Sequence, residues 1–234
     1  MGFRTRFAEL LGKKAKAKIA GSGEPKRIDL NLPLGIRIGS TVKFEQSTFI
    51  LGGESMVFVP PKGQCLCIGF SRFQQAGNSY YRFHLEDEDK IEFTLSVGLY
   101  KGQTAELILY RQCDGGEVFP ENSEEWGVWL DEENGLIGNQ YFTINGLEYD
   151  RVTNPEVGHR LEPLEYVEMV FLDEFRESGD SVKNIGMAYG RTINVDGDIE
   201  IKEFALPESR RDHEGAYVNV MVGVEIDEIG VTVL

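Results

Sequence analysis

The chain has 234 residues, enough for one large domain or two small ones with a sizeable core. Apolar residues make up 41% and charged residues 27%, which excludes wholesale disorder. No stretch approaches the roughly 20 apolar residues that span a bilayer as a helix. A net charge of −15 repels phosphates, so nucleic acid is not an expected partner.

The charge is unevenly distributed. Residues 1–27 hold eight basic and two acidic groups, a net of +6, whereas residues 28–234 hold 16 basic and 37 acidic groups, a net of −21. Phe3, Phe7, Leu10 and Leu11 recur at the spacing of one helix face, and Lys13, Lys14, Lys16 and Lys18 crowd the following turns. Gly21-Ser22-Gly23 and then Pro25 end the helix. The division expected is a basic amphipathic helix and hinge at 1–27, followed by an acidic β-rich domain at 28–234 with a sub-boundary near 153–163, where Asn154-Pro155, Gly158 and Pro163 cluster. The helix has three readings: it packs its Phe/Leu face on its own domain, it folds back electrostatically on the acidic body, or it docks on a partner or an anionic membrane surface. The N-terminus lacks the apolar run of a signal peptide, which points to the cytoplasm.

From Ile28 the hydrophobic period changes to two. Ile91, Phe93, Leu95, Val97 and Leu99 alternate with small or polar residues, as do Ala216, Val218, Val220, Val222, Val224 and Ile226. Both patterns predict strands with one face inward. Further strands are expected at 41–50, 64–72, 79–85, 105–112, 140–144, 148–152, 166–172, 185–193 and 199–204. Asn145-Gly146 and Asp196-Gly197 are hairpin dipeptides, and Lys101-Gly102, Asp114-Gly115-Gly116 and Asn134-Gly135 also interrupt the pattern. The spacing leaves no room for crossover helices. The expected fold is therefore mainly β, an antiparallel β-sandwich or open barrel-like sheets with one N-terminal helix. A short turn is expected within 208–214.

Motifs of catalysis are absent: there is no phosphate loop, GxSxG elbow or HExxH helix. Cys65, Cys67 and Cys113 are an odd set, and the isolated CxC pair reads as buried hydrophobes on one strand face rather than metal ligands. No metal and no cofactor is expected. The run Glu86-Asp87-Glu88-Asp89 sits between two strands, where a polar hairpin loop belongs. Asn194-x-Asp196-x-Asp198 opens like a calcium loop but has Ile199 and Ala205 where glycine and glutamate are needed.

The stretch 116–138 is the richest. Trp126 and Trp129 stand three apart among Glu124, Glu125 and Asp131. Aromatic rings beside carboxylates suit a cationic ligand, while the plainer reading buries both rings in the core.

Leu32-Pro33-Leu34-Gly35-Ile36-Arg37-Ile38-Gly39, Glu117-Val118-Phe119-Pro120, Trp126, Trp129-Leu130, Gly135-Leu136-Ile137-Gly138 and Tyr149-Asp150-Arg151-Val152 resemble the bacterial YjfK-like family of unknown function across most of the chain. The family offers no catalytic residues to carry over. Its members are often encoded beside membrane-associated stress proteins of the phage-shock type, small integral membrane proteins and an ATP-grasp ligase resembling glutathionylspermidine synthase. The resemblance therefore implies a cytosolic accessory protein near the inner membrane, with membrane-associated stress proteins among its partners. Two functions compete. One is a non-enzymatic interaction module held by its basic helix. The other is a binder of, or enzyme for, a small polyamine-like cation in an acidic, Trp-lined cleft.

Overall fold

The computed structural model describes residues 26–195, 197 and 199–234. The chain forms β1 (Thr41–Phe44), α1 (Ser47–Gly52), β2 (Cys65–Gln75), β3 (Asn78–Glu86), β4 (Glu92–Tyr100), β5 (Gln103–Val118), α2 (Ser123–Leu130), β6 (Tyr141–Ile144), β7 (Leu147–Arg151), β8 (Leu164–Phe171), β9 (Asp180–Gly186), β10 (Tyr189–Val195), β11 (Ile199–Arg211), β12 (Ala216–Glu225) and β13 (Val231–Val233). Eight strands close on themselves in the order β2, β3, β4, β5, β12, β11, β9 and β8, every neighbouring pair antiparallel. The mainly β, antiparallel expectation holds, and the sheet is a closed barrel. Closure leaves these eight barrel strands without the free edge that an open sheet of them would expose.

Strand β11 makes the closure possible. Its second half pairs with β9 and its first half pairs on the same side with β10, while β12 lies along the other edge. From β10 the sheet continues to β7 and β6, outside the barrel. The pair β1 and β13 adds to the start of β2.

The apolar stripes face outward from this barrel. Phe83, Leu85, Leu95, Val97, Leu109, Val222 and Val224 pack beneath Ile36, Val42, Phe44, Phe49, Phe58, Ile193 and Ile201, which the segment before β1, β1 itself, α1, the connection from α1 to β2 and the β10–β11 hairpin lay over the wall. A second core joins Val218, Val220 and Ala205 of the wall to Ile137, Phe142, Ile144, Tyr149, Met187 and Tyr189. The alternate residues do not face water as half-buried strands would have them do: Ser96, Gly98, Tyr217, Met221 and Gly223 are buried as well. They line the barrel interior, so β4 and β12 are covered on both faces. Gly223 is required there, because a Cβ would come within 2.4 Å of the Tyr110 ring.

Several boundaries differ from the pattern reading. The 41–50 strand stops at Phe44, and Ser47–Gly52 is helical. The 185–193 strand is two, β9 and β10. Asp114-Gly115-Gly116 does not end a strand: β5 runs through it to Val118, with a register shift opposite Asn219 and Met221 and Gly115 at φ +70°. Helix α2 has no counterpart in the hydrophobic periodicity; its N-cap Asn122 accepts from the amides of Glu124 and Glu125, both at 3.0 Å. Residues 208–211 belong to β11, with bends only after them. The Asn145-Gly146 hairpin is as expected, with φ of +53° and +78°. The predicted helix and hinge of 1–27 fall almost wholly outside the described residues.

Candidate functional site

Alternation along the barrel strands puts Ser71, Arg82, His84, Tyr110, Glu168, Asn184, Glu208 and Arg210 on the interior face, since directly paired residues share a face. Arg82 lies across the barrel from Glu208 and donates to it at 2.7 and 3.1 Å. It also donates to Glu168 at 3.4 Å and to the Tyr166 hydroxyl at 3.0 Å. The Tyr166 hydroxyl in turn donates to Glu208. Glu168 collects four donors: the Ser71 hydroxyl, Asn184 Nδ2 at 3.1 Å, Arg210 at 3.1 Å and Arg82. Glu168 and Glu208 are fully buried, Arg82 is 4% exposed and Arg210 7%. Two guanidiniums and two carboxylates thus balance in a space where a lone charge would be prohibitive.

The electrostatics follow from that packing. Burial alone would raise the Glu168 carboxyl, but Arg210 and Arg82 outweigh it and hold the group at about 2. Burial pushes the His84 imidazole down to about 4, against the attraction of Glu168 and with help from Arg210 and Arg82. His84 is therefore neutral at physiological pH. Ile108, Tyr110, Leu206 and Met221 form an apolar cluster in the interior, and Phe73 is stacked between Tyr80 and Tyr166 at 5.0 and 4.3 Å.

Among the described residues a mouth remains at one end of the barrel. A cavity of about 440 Å³ reaches down to His84 and Arg210 and is walled by Thr94, Gln112, Tyr217 and Asn219. Arg111, Glu92, Asp114 and Glu117 belong to its lining as well. That volume is within the range of small-molecule sites. Cys113 also lines it, so the cavity holds a cysteine and a histidine. Burial pushes the Cys113 thiol up to about 11. The nucleophilic form is the thiolate, so at neutral pH the pair consists of a protonated thiol and a neutral imidazole.

Two further buried charges hold loops. Glu203 accepts the amides of Val57 and Phe58, both at 2.7 Å, the Tyr149 hydroxyl at 2.8 Å and Arg191 Nε at 2.8 Å. Arg151, with no exposed surface, donates to five carbonyls: Gly138, Thr153, Asn154, Val157 and His159, at 2.6 to 3.1 Å. It gathers the connection between β7 and β8, which includes 153–163.

The Trp126–Asp131 group lies elsewhere. Trp126 and Trp129 pack on the second core from α2. Glu125 accepts from the Glu121 amide and Asn122 Nδ2, both at 2.8 Å, and Asp131 accepts from the amides of Glu133 and Asn134 at 3.0 and 2.8 Å. The two amides hold the Asp131 carboxyl below its ordinary value. Glu124 is exposed. None of these five residues lines the barrel-mouth cavity. In the Glu86–Asp89 run, Asp87 accepts from the amides of Lys62, Asp89 and Ile91 and so ties the β3–β4 hairpin to the chain before β2. Cys65 and Cys67 are buried on one face of β2, where burial pushes both thiols up to about 12. Phe3, Phe7, Leu10, Leu11, Lys13, Lys14, Lys16 and Lys18 lie outside the described residues. Among the described residues no helix is long and apolar enough to cross a membrane.

No curated protein and no solved structure matches the chain. A family model does, over residues 6–232. Across almost its whole length, therefore, the chain belongs to the DUF2491 family, described as proteins of unknown function.

Proposed function

We propose that the protein is a non-enzymatic binding protein that takes a small polar molecule into the mouth of its barrel. The observation that carries the reading is the cavity of about 440 Å³ floored by His84 and the nine-tenths-buried Arg210. Its floor is held in place by ion pairs to Glu168 and Glu208, so a ligand meets polar groups already oriented, which lowers the ordering cost of binding. The neutral His84 and protonated Cys113 supply no activated nucleophile, which favours binding over covalent chemistry. The test is equilibrium dialysis of the full chain against a small-metabolite extract, read by mass spectrometry. A compound enriched by the wild type and not by Asn219→Trp, which fills the mouth from β12, is the expected result. No enriched compound refutes it.

A second reading concerns placement in the cell, and its motive is the +6 net charge of residues 1–27 against −21 for the rest. On this reading the protein is a cytoplasmic accessory protein of the bacterial YjfK-like type. Its basic N-terminal segment docks on the inner-membrane surface or on a membrane-associated stress protein. Each basic residue near an anionic surface contributes on the order of 1 kcal/mol. Co-sedimentation with anionic vesicles at low salt should occur, weaken with salt and be lost on deleting residues 1–20 or on Phe7→Glu. Equal binding by the deletion sinks membrane docking.

A further inference from the structure

We infer that the barrel mouth is the docking surface for the chain's own N-terminal segment, with the Phe3, Phe7, Leu10 and Leu11 stripe seated in the cavity. The described chain begins at the same rim. Strand β8 ends at the mouth: Phe171 pairs with Phe70, next to Gly69, which pairs with His84 of the cavity lining. A Cβ on Gly69 would meet Leu172 Cδ2 at 2.6 Å and His84 Cδ2 at 3.7 Å, so the chain leaving β8 passes beside His84. Three residues after β8, the Glu174 carbonyl accepts the Ile28 amide at 2.9 Å. Arg27 is clamped just before it: its guanidinium donates to the buried Asp29 at 2.9 and 2.7 Å and to the Ile38 carbonyl at 2.9 Å. The N-terminal segment is therefore tethered to the rim of the mouth.

Length permits the docking. The eight-strand ring is roughly 15 Å across. Phe3 to Leu11 span about 12 Å as the helix that their spacing predicts, which matches the width of the mouth. Residues 12–20, about 14 Å as helix, then lie beyond the rim. Gly21 to Pro25 reach at most about 17 Å when extended, enough to join them to the anchored Arg27. The cavity offers apolar ground for the stripe: Ile68, Ile91 and Met221 line it, and Ile68 and Ile91 are only half-buried. Long-range attraction acts in the same direction, since residues 1–27 carry +6 and the body −21. A tether this short holds the segment at an effective concentration on the order of millimolar, which favours the chain's own stripe over that of a second copy. A ligand, or a membrane surface that takes the same stripe, has to displace it first.

The reactivity of Cys113, which lines the cavity, tests this in the full chain, with the buried Cys65 and Cys67 as internal controls. Phe7→Ser combined with Leu11→Ser should make Cys113 react tenfold or more faster with a neutral dipyridyl disulfide, while Cys65 and Cys67 stay unreactive. Equal Cys113 rates in wild type and variant overturn the inference. A second measurement leaves most of the stripe in place. Under oxidised glutathione, at least one of Phe3→Cys, Phe7→Cys, Leu10→Cys and Leu11→Cys should form a disulfide with Cys113 within one chain, and Glu9→Cys, on the other helix face, should not. No disulfide within one chain, or one formed as readily from Glu9→Cys, overturns it. A disulfide found only between chains does so as well, by assigning the stripe to a second copy. Neither readout needs a ligand, so this inference and the ligand-binding reading above can fail separately.

Discussion

Glu168→Gln removes one charge from the interior network at almost constant volume. In the wild type the carboxylate is held at about 2 against an ordinary 4.5, so its ionisation contributes about 3 kcal/mol to stability at neutral pH. Removing one partner of a buried ion pair costs about 3–5 kcal/mol by itself, and the amide group would turn donors toward Arg82 or Arg210. A loss of about 3–5 kcal/mol at pH 7 is therefore expected. A group whose folded pKa is depressed stabilises fully above its unfolded value and loses that contribution as pH falls toward the folded one. The gap between wild type and variant should accordingly be widest above pH 5 and narrow as pH falls below about 4.5, because the glutamine does not titrate. Urea unfolding followed by tryptophan fluorescence at pH 7, 5, 4 and 3.5 gives the curve. A gap under about 1 kcal/mol at pH 7, or one that stays constant on acidification, contradicts an ionised Glu168 at the centre of the barrel.

His84 makes a related prediction. Its pKa is lowered from 6.5 to about 4, so ¹⁵N resonances of the imidazole should remain those of the neutral ring at pH 5.5, and a midpoint near 6.5 would place it in solvent. By the same linkage, His84 costs stability as pH falls from 6.5 through 4, and His84→Gln should flatten that part of the profile. Arg151→Lys should lose nearly as much thermal stability as Arg151→Met, about 3 kcal/mol or more, because an ammonium group cannot reach five carbonyls arranged around a planar fork. A lysine variant as stable as wild type would show that charge alone suffices there.

The outer half of the fold was legible in the sequence, and the inner half was not. Phe83, Leu85, Leu95 and Val222 mark the buried stripe at period two, and that stripe correctly gives antiparallel strands. The same alternation reads Arg82, His84 and Asn219 as the wet side of a half-buried sheet, whereas ring closure makes that side the interior. Charge at alternate positions looks alike whether water or a second charge satisfies it. The local spelling of β3, Tyr81-Arg82-Phe83-His84-Leu85, held the clue that large polar residues alternate with large apolar ones, but its partners lie 86 and 126 positions away at Glu168 and Glu208. The residues that carry the family resemblance turn out to hold the frame: Tyr149 binds Glu203, Arg151 gathers carbonyls including that of Gly138, and the Ile38 amide is fixed by the buried Asp29. Such positions bear no chemical signature because their work is closing loops. The tryptophans drew attention for a similar reason. Aromatic rings among acids resemble a cation site, but in α2 the rings are core contacts and Glu125 and Asp131 accept backbone amides.

A ligand is expected at the barrel mouth and not at α2. A ¹⁵N–¹H correlation spectrum of the full chain, titrated with a small-metabolite extract, reads every amide and both indoles at once. Shifts are expected at His84, Thr94, Gln112, Arg210 and Asn219, with the Trp126 and Trp129 indole signals unmoved. Shifts centred on the two indoles, or none anywhere at millimolar ligand, would contradict it.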